Sequence, residues 1–202
     1  MQIRSRQVAL ALAGWLFGAL LVGLSGVLRW VRPPLPQALI FALSAMVLLL
    51  FWRSTGFRAW ALNVDIRALL LVHVSRFVGI YFLVLYARGE LPFAFAIPGG
   101  IGDIVVAAGA VVVLLLCSRP GVTAWAAMLV WNTCGLLDIL LVVLIATTLG
   151  LANPEAMWPL LVLPLSLLPT FLVPIIISTH FIIFARLGAS RRNGFHGFRR
   201  TF

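Results

Sequence analysis

Six long apolar stretches are the feature that most limits what this chain can fold into. An α-helix needs about 20 apolar residues to cross about 30 Å of hydrocarbon, and charged residues or prolines separate the stretches that provide this length. We place the predicted spans at residues 7–28, 35–52, 68–87, 93–117, 121–149 and 160–185. A water-soluble fold is excluded, because 63% of the residues are hydrophobic and only 10% are charged. The sequence predicts an all-α transmembrane bundle of six helices, forming one domain over 1–187 followed by a basic cytoplasmic tail over 188–202.

The basic residues are distributed unevenly over the two sides of these spans. All 15 are arginines, and the formal net charge is +10. With six spans, eleven arginines fall on the side that holds both termini, whereas three, Arg29, Arg32 and Arg88, fall on the opposite side. Cytoplasmic loops are enriched in basic residues, so both termini are predicted to be cytoplasmic. We interpret the arginines as topology determinants and contacts to anionic lipids at the cytoplasmic face, and we expect no nucleic-acid partner.

Two segments rich in proline are predicted to depart from a regular helix. The segment from Ala156 to Leu187 contains four prolines, and each removes a backbone donor and clashes with the preceding turn. The last helix is therefore predicted to be kinked by proline, while residues 154–165 could span the membrane, re-enter it or lie at the interface. The segment from Leu91 to Gly102 contains two prolines and three glycines. We expect it to enter the membrane irregularly before the fourth span becomes helical.

Three charged residues lie near the middle of predicted spans: Arg76, Asp103 and Asp138. Counted along a helix, each is about 15 to 17 Å from the outer end of its span. An ionisable group is costly in the bilayer interior, so we predict that these side chains meet in a buried polar site, and we expect Asn132 to add an interhelical hydrogen bond. Two interpretations stay open. The cluster either only locks three helices together, or its excess carboxylate titrates or binds a substrate.

His73 and His180 form a second candidate constellation. Each lies about 9 Å from the cytoplasmic end of its span, and equal depth would allow an axial pair for haem b, with Arg76 available to a propionate. The alternative is a hydrogen-bonding pair between two helices. Two histidines without a third ligand are poor evidence for zinc, so no metal site is predicted.

A short string at Gly100-Ile101-Gly102-Asp103 matches the GxGD motif of intramembrane aspartyl proteases, with Asp138 available as a second acid. Those families place the first aspartate before the GxGD helix, whereas here the other aspartate follows it. A nearby arginine would also hold both acids ionised, which a proton-sharing pair cannot use. The sequence contains no Walker loop, serine nucleophile elbow or HExxH string. We therefore assign no catalytic residue and do not expect an enzyme.

Five different short motifs follow one another between Arg76 and Pro174: RxxGxxFL from Arg76, GxLPxxFA from Gly89, Gly102-Asp103, WNxxGLxD from Trp131 and LPTFLVP from Leu168. Together they cover about residues 70 to 185 and resemble an uncharacterised family of small bacterial multi-pass membrane proteins. The resemblance implies a location in the bacterial cytoplasmic (inner) membrane. It implies no activity, substrate or cofactor.

Two classes of function fit these observations. The first is a small ligand-binding or carrier-type protein, in which a carboxylate couples protonation to a polar substrate beside the arginine and irregular helices provide mobile backbone. The second is a non-catalytic accessory or scaffold subunit of a membrane complex, in which the polar cluster is structural. A chain of 202 residues is short for a carrier built from paired repeats, so we expect a homo-oligomer or another membrane partner.

Overall fold

The computed structural model describes residues 5–116 and 121–192, and within them every regular element is helical. Six helical segments are long and apolar enough to cross a membrane, as the sequence predicts. In chain order, and numbered here as spans one to six, they are Ser5–Ser25, Leu35–Arg53, Ile66–Ala87, Phe93–Leu116, Val122–Ala152 and Leu168–Ser190. Most of the predicted basic tail, residues 193–202, lies outside the described residues.

Both described ends of the chain lie at the same end of the bundle. The indole Nε1 of Trp60 donates to the hydroxyl of Ser5 at 3.2 Å, and Nη1 of Arg186 donates to the carbonyl of Val64 at 2.6 Å. Both contacts are made to the connection between spans two and three. We call the end of the bundle at which this connection lies the terminal end. The opposite end carries residues 26–34, 88–92 and 153–167. The cytoplasmic orientation of the terminal end stays a prediction.

A short helix, Thr55–Asn63, occupies the connection between spans two and three. Ser54 precedes it in an extended conformation and its hydroxyl accepts a hydrogen bond from the backbone N–H of Phe57, so the helix has a regular N-terminal cap. Phe57 and Ala61 bury one face of this helix against the bundle. The sequence analysis left this segment between two predicted spans and predicted no helix in it.

Span three is not one continuous α-helix. It consists of an α-helix over Ile66–Val72, a 3₁₀ segment over His73–Val78 and a second α-helix over Gly79–Ala87. A 3₁₀ segment turns through 3.0 residues rather than 3.6, so it places His73 and Arg76 on one side of the span. Both side chains are fully buried.

The prediction that the segment from Leu91 to Gly102 enters the membrane irregularly is wrong for span four. Phe93–Leu116 is a continuous helix with Pro98 inside it. A proline removes one backbone hydrogen bond, and transmembrane helices tolerate this where neighbouring helices pack closely. Gly99 and Gly100, which follow the proline, are both buried against neighbouring spans, so packing stabilises the helix through this position.

The chain before span six is irregular, and the last helix is distorted at its prolines as predicted. Glu155–Leu161 forms a 3₁₀ helix at the end of the bundle opposite the termini. A π-helical segment follows at Leu168–Leu172, which includes Pro169, and α-helix continues over Val173–Arg192. The membrane-length helix therefore begins at Leu168 rather than at residue 160. In an 18-residue apolar stretch of span six 61% of the residues are buried, against 11% in the corresponding stretch of span one. Span six therefore lies centrally in the bundle and span one peripherally.

Candidate functional site

Arg76 is the centre of a buried ion-pair network that joins spans three, four and five. Its Nε donates to Oδ1 of Asp103 at 2.6 Å, its Nη1 donates to the backbone carbonyl of Gly135 at 2.9 Å, and its Nη2 donates to Oδ2 of Asp138. The arginine is only 1% exposed. Charge-assisted bonds of this kind are about twice as strong as neutral ones, so the guanidinium ties three helices together in the middle of the membrane.

Glycines make this geometry accessible by allowing the helices to approach. A Cβ on Gly79 would collide with the carbonyl oxygen of Gly100, so the backbones of spans three and four touch at this point. A Cβ on Gly102 would collide with Oδ1 of Asp138. The second glycine of the GxGD string therefore leaves room for the carboxylate of span five, and this steric role accounts for it without proteolytic chemistry.

The two carboxylates differ in their surroundings. The side chain of Asp103 is 4% exposed, whereas that of Asp138 is 19% exposed and borders the lipid-facing surface beside Leu137 and Leu141. Two carboxylates share one guanidinium, so when both are ionised one negative charge has no matching cation within the cluster. This excess charge is the chemically unusual property of the site, because an unmatched charge in hydrocarbon is costly.

A second polar cluster lies next to this network on its terminal side. Nδ1 of His180 lies 2.8 Å from Oδ1 of Asn132, whose Nδ2 donates to the backbone carbonyl of His180 at 3.1 Å. Nε2 of His73 lies 3.2 Å from the hydroxyl of Thr179, which donates to Ile176. Oδ1 of Asn132 is an acceptor, and the Thr179 hydroxyl already uses its hydrogen, so both oxygens accept from the histidines. Nδ1 of His180 and Nε2 of His73 therefore carry the hydrogens and donate. Nε2 of His180 and Nδ1 of His73 are buried acceptors without a partner among the described residues.

The geometry of the two histidines does not fit the haem considered from the sequence. Their ring centroids are 4.3 Å apart, and the indole of Trp131 packs edge-on against His73 at 4.9 Å. An axial pair needs about 2 Å between the metal and each nitrogen, with the macrocycle filling the space between the rings. Rings in direct contact leave no such space. Each histidine instead hydrogen-bonds to a side chain of another helix, His180 to Asn132 and His73 to Thr179, and no hydrogen bond joins the two histidines among the described residues.

A cavity of about 590 Å³ extends from the end opposite the termini down to the ion-pair network. Its mouth is formed by the chain after span one and the 3₁₀ helix before span six, including Arg29, Arg32 and Glu155. Its floor includes Arg76 and Asp103. Both floor residues are about 15 Å below the mouth by helical rise, so the cavity reaches the middle of the predicted membrane.

Apart from its mouth and floor, the cavity is largely apolar. Phe82 and Phe95 line it with ring centroids 5.2 Å apart, and valines and isoleucines of spans five and six complete the walls. Gln37 of span two also lines it and has a buried side-chain oxygen without a partner among the described residues. Concave, mostly apolar cavities of roughly 300–1,000 Å³ with a few polar groups are typical of small-molecule sites.

Several participants were missed by the sequence analysis. The Gly135 carbonyl was missed because a backbone acceptor has no sequence signal. The hydroxyl of Thr179 could have been found from its place next to His180. The hydrogen bond that Trp131 donates through Nε1 to the carbonyl of Val106 at 2.9 Å was also missed, although a tryptophan in the middle of a predicted span is expected to pack within the bundle. The cavity mouth was missed because its residues lie in connections between spans, and its arginines were used only to predict the orientation of the protein in the membrane.

Most of this site falls within a segment shared with other proteins. The sequence profile of a family described as "Domain of unknown function (DUF8737)" matches residues 33–188. The chain belongs to the DUF8737 family. The matched segment includes spans two to five, nearly all of span six and every residue of the two polar clusters, whereas span one lies outside it. No curated protein and no solved structure is detectably similar to the chain.

Proposed function

We propose that this protein is a small ligand-binding or carrier-type membrane protein, and that the ion-pair network is the floor of its binding site. One observation carries the proposal. A cavity of about 590 Å³ opens at one end of the bundle and ends on Arg76 and Asp103. A network that served only to lock helices needs no cavity beside it, whereas this cavity reaches both residues, although little of their surface is exposed.

On the other side of the network the described residues fill the interior. Toward the terminal end the space is filled by the histidine cluster and by Ala110, Met128 and Ile183, each 1% exposed or less. A site at mid-depth that is reached from one side only is the arrangement expected of one state of an alternating-access carrier or of a receptor. The π-helical segment at Leu168–Leu172 lies in the cavity wall and provides an irregular backbone next to the site.

The accessory-subunit alternative is favoured by a different observation. Each of the three guanidinium nitrogens of Arg76 already donates to a protein acceptor, which is what a purely structural lock requires. Under this alternative the partly exposed carboxylate of Asp138 would meet a donor on a helix of the partner protein. The cavity would then bind nothing specific.

The same proposal covers location and assembly. We place the protein in the cytoplasmic membrane of a bacterium as a multi-pass protein with cytoplasmic termini and anionic lipids at that face. The orientation is supported by the arginine distribution. A carrier of this length would act as a homo-oligomer or with a partner subunit.

Native mass spectrometry of the detergent-purified protein tests the proposal. The wild type should retain a small molecule, and the variant Ala146→Trp, which fills the cavity from its wall, should lose it. The matched control is Leu144→Trp, which adds the same side chain two positions away at a site that is 58% exposed. Retention of the same mass by the Ala146→Trp variant, or recovery of a stoichiometric protein partner and no small molecule, would support the accessory-subunit alternative.

A further inference from the structure

We propose that the ligand is a lipophilic organic cation, with an ammonium or similar N–H donor bound to Asp103 at the cavity floor and an apolar body against the walls. This inference rests on the proposed function and specifies the chemistry of its ligand. It differs from the sequence-based expectation of a polar substrate beside the arginine.

The guanidinium of Arg76 is poorly placed to recognise an anion. Its Nε, Nη1 and Nη2 donate to Asp103, to the carbonyl of Gly135 and to Asp138. A carboxylate or phosphate ligand would have to displace one of these acceptors, and it would bring a further negative charge to a site that already has one in excess. Like charges in a low-dielectric site repel strongly.

Asp103 has the opposite property. The residue is 3% exposed and lines the cavity. Its Oδ1 accepts from Arg76, whereas Oδ2 has no hydrogen-bond donor among the described residues. A buried acceptor with excess negative charge, facing a space large enough for a ligand, favours a positively charged donor.

The walls fit the rest of such a molecule. Side chains between floor and mouth are mainly aliphatic, and the rings of Phe82 and Phe95 are present for an aromatic body or for contact with a cation. The volume of about 590 Å³ falls within the range of sites for drug-sized molecules. An ammonium alone would leave most of this apolar surface uncovered.

The arginines at the mouth do not reverse this preference. Arg29 and Arg32 are exposed, and the guanidinium of Arg29 lies 5.9 Å from the ring centroid of Trp158. Exposed charges are screened over about 8 Å at physiological salt, whereas the mouth lies about 15 Å from Asp103 by helical rise. The carboxylate of Asp103 therefore has a larger effect on the electrostatic potential at the cavity floor than the two arginines have.

Three molecules with one common body test the inference: 4-phenylbutylamine, 4-phenylbutanol and 4-phenylbutyrate. Binding to the full-length protein is measured by isothermal titration calorimetry in nanodiscs of zwitterionic lipid. The amine is expected to bind at least about tenfold more tightly than the alcohol, because a charge-assisted bond to a buried carboxylate is formed only by the amine. The butyrate is expected to bind more weakly than the alcohol.

Two acids of the same cavity give a matched pair of variants. Asp103→Asn should reduce the affinity for the amine at least about tenfold and leave that for the alcohol within about twofold. Glu155→Gln, which removes an acid at the mouth, should leave the affinity for the amine within about threefold. If Asp103→Asn does not fold, the wild type is measured in about 0.1 M and 1 M salt, since a buried pair is screened much less than an exposed one. The ratio of amine to alcohol affinity should then stay within about twofold.

Other outcomes would overturn the inference in distinguishable ways. Tighter binding of butyrate, abolished by the double change Arg29→Gln and Arg32→Gln, would identify an anion site at the mouth. If Glu155→Gln reduces the affinity for the amine as much as Asp103→Asn does, the ammonium binds at the mouth. Loss of the preference for the amine over the alcohol in 1 M salt would lead to the same conclusion. If none of the three molecules binds while native mass spectrometry still finds a ligand that Ala146→Trp removes, the cation class is wrong and the binding function stands.

Discussion

The contact between Gly79 and Gly100 predicts a large effect from one added methyl group. In Gly79→Ala the new Cβ would overlap the carbonyl oxygen of Gly100 and lie 2.9 Å from Cβ of Asp103. Carbon atoms normally pack at about 3.5–4.0 Å, so spans three and four would have to separate by about 0.6 Å or more. The same shift would lengthen the bond from Arg76 to Asp103 from 2.6 Å to about 3.2 Å, beyond the usual charge-assisted range.

Overpacking of this kind costs about 1–3 kcal/mol. For a chain of this size, each kcal/mol corresponds to a shift of about 2–4 °C in Tm. We therefore expect Gly79→Ala to lower the Tm by about 2–12 °C. The measurement is thermal unfolding in detergent, followed through intrinsic tryptophan fluorescence.

Gly188→Ala is the matched control for this prediction. It makes the same change inside span six, where no atom lies within 4 Å of the new Cβ. Replacing an exposed helical glycine by alanine stabilises by up to about 1 kcal/mol, so this variant should unfold at or slightly above the wild-type temperature. A Tm for Gly79→Ala within about 1 °C of the control would show that the two helices do not touch there, and the derived geometry of the ion pair would be wrong.

Three further predictions concern the polar groups. Arg76→Gln leaves the buried carboxylate of Asp103 and the partly buried one of Asp138 without their cation, so we expect a loss of about 3–5 kcal/mol, measured by unfolding in detergent or seen as failure to accumulate in the membrane. Asp138→Asn should lower the Tm by about 2–4 °C less than Asp103→Asn, because its side chain is 19% rather than 4% exposed; the reverse order would mean that Asp138 is covered in the assembled protein. Asn132→Leu removes the acceptor of the imidazole N–H of His180, which is buried, and should lower the free energy of unfolding by about 1–3 kcal/mol. The control is Thr133→Val, which removes an exposed hydroxyl that is bonded within its own helix. It should change the free energy of unfolding by less than about 0.5 kcal/mol.

The number of spans and the meeting of opposite charges could be predicted from the sequence, because both follow from the cost of placing polar groups in hydrocarbon. Rise per residue alone places Arg76, Asp103 and Asp138 at one depth, and the structure brings them into hydrogen-bond contact. Their role as a binding site remains a proposal. Depth also brought His73 and His180 together, although equal depth could not distinguish rings in contact from rings separated by a cofactor.

The parts that could not be predicted depend on lateral packing. The 3₁₀ segment at His73–Val78 has no distinctive composition, and the continuous helix through Pro98 depends on contacts of the following glycines with other spans. A cavity is the volume that side chains from several helices fail to fill. No periodicity in one helix can show it, and for this reason the cavity could be recognised only in the assembled bundle.

Adjacent residues of span five give a direct test of whether water enters the cavity, and from which side. Val143 lines the cavity and is 6% exposed, whereas Leu144 is 58% exposed on the predicted lipid face. In a background with the native cysteines replaced by alanine, each position is changed to cysteine and treated with a charged, membrane-impermeant methanethiosulfonate. The reactive species is the thiolate, which forms in water and not in hydrocarbon, so the cysteine at 143 should react at least about tenfold faster than that at 144, and only from the periplasmic side. Equal rates at the two positions would mean that the cavity is dry and would remove the basis for a ligand, whereas reaction only from the cytoplasmic side would keep the site and reverse the predicted orientation.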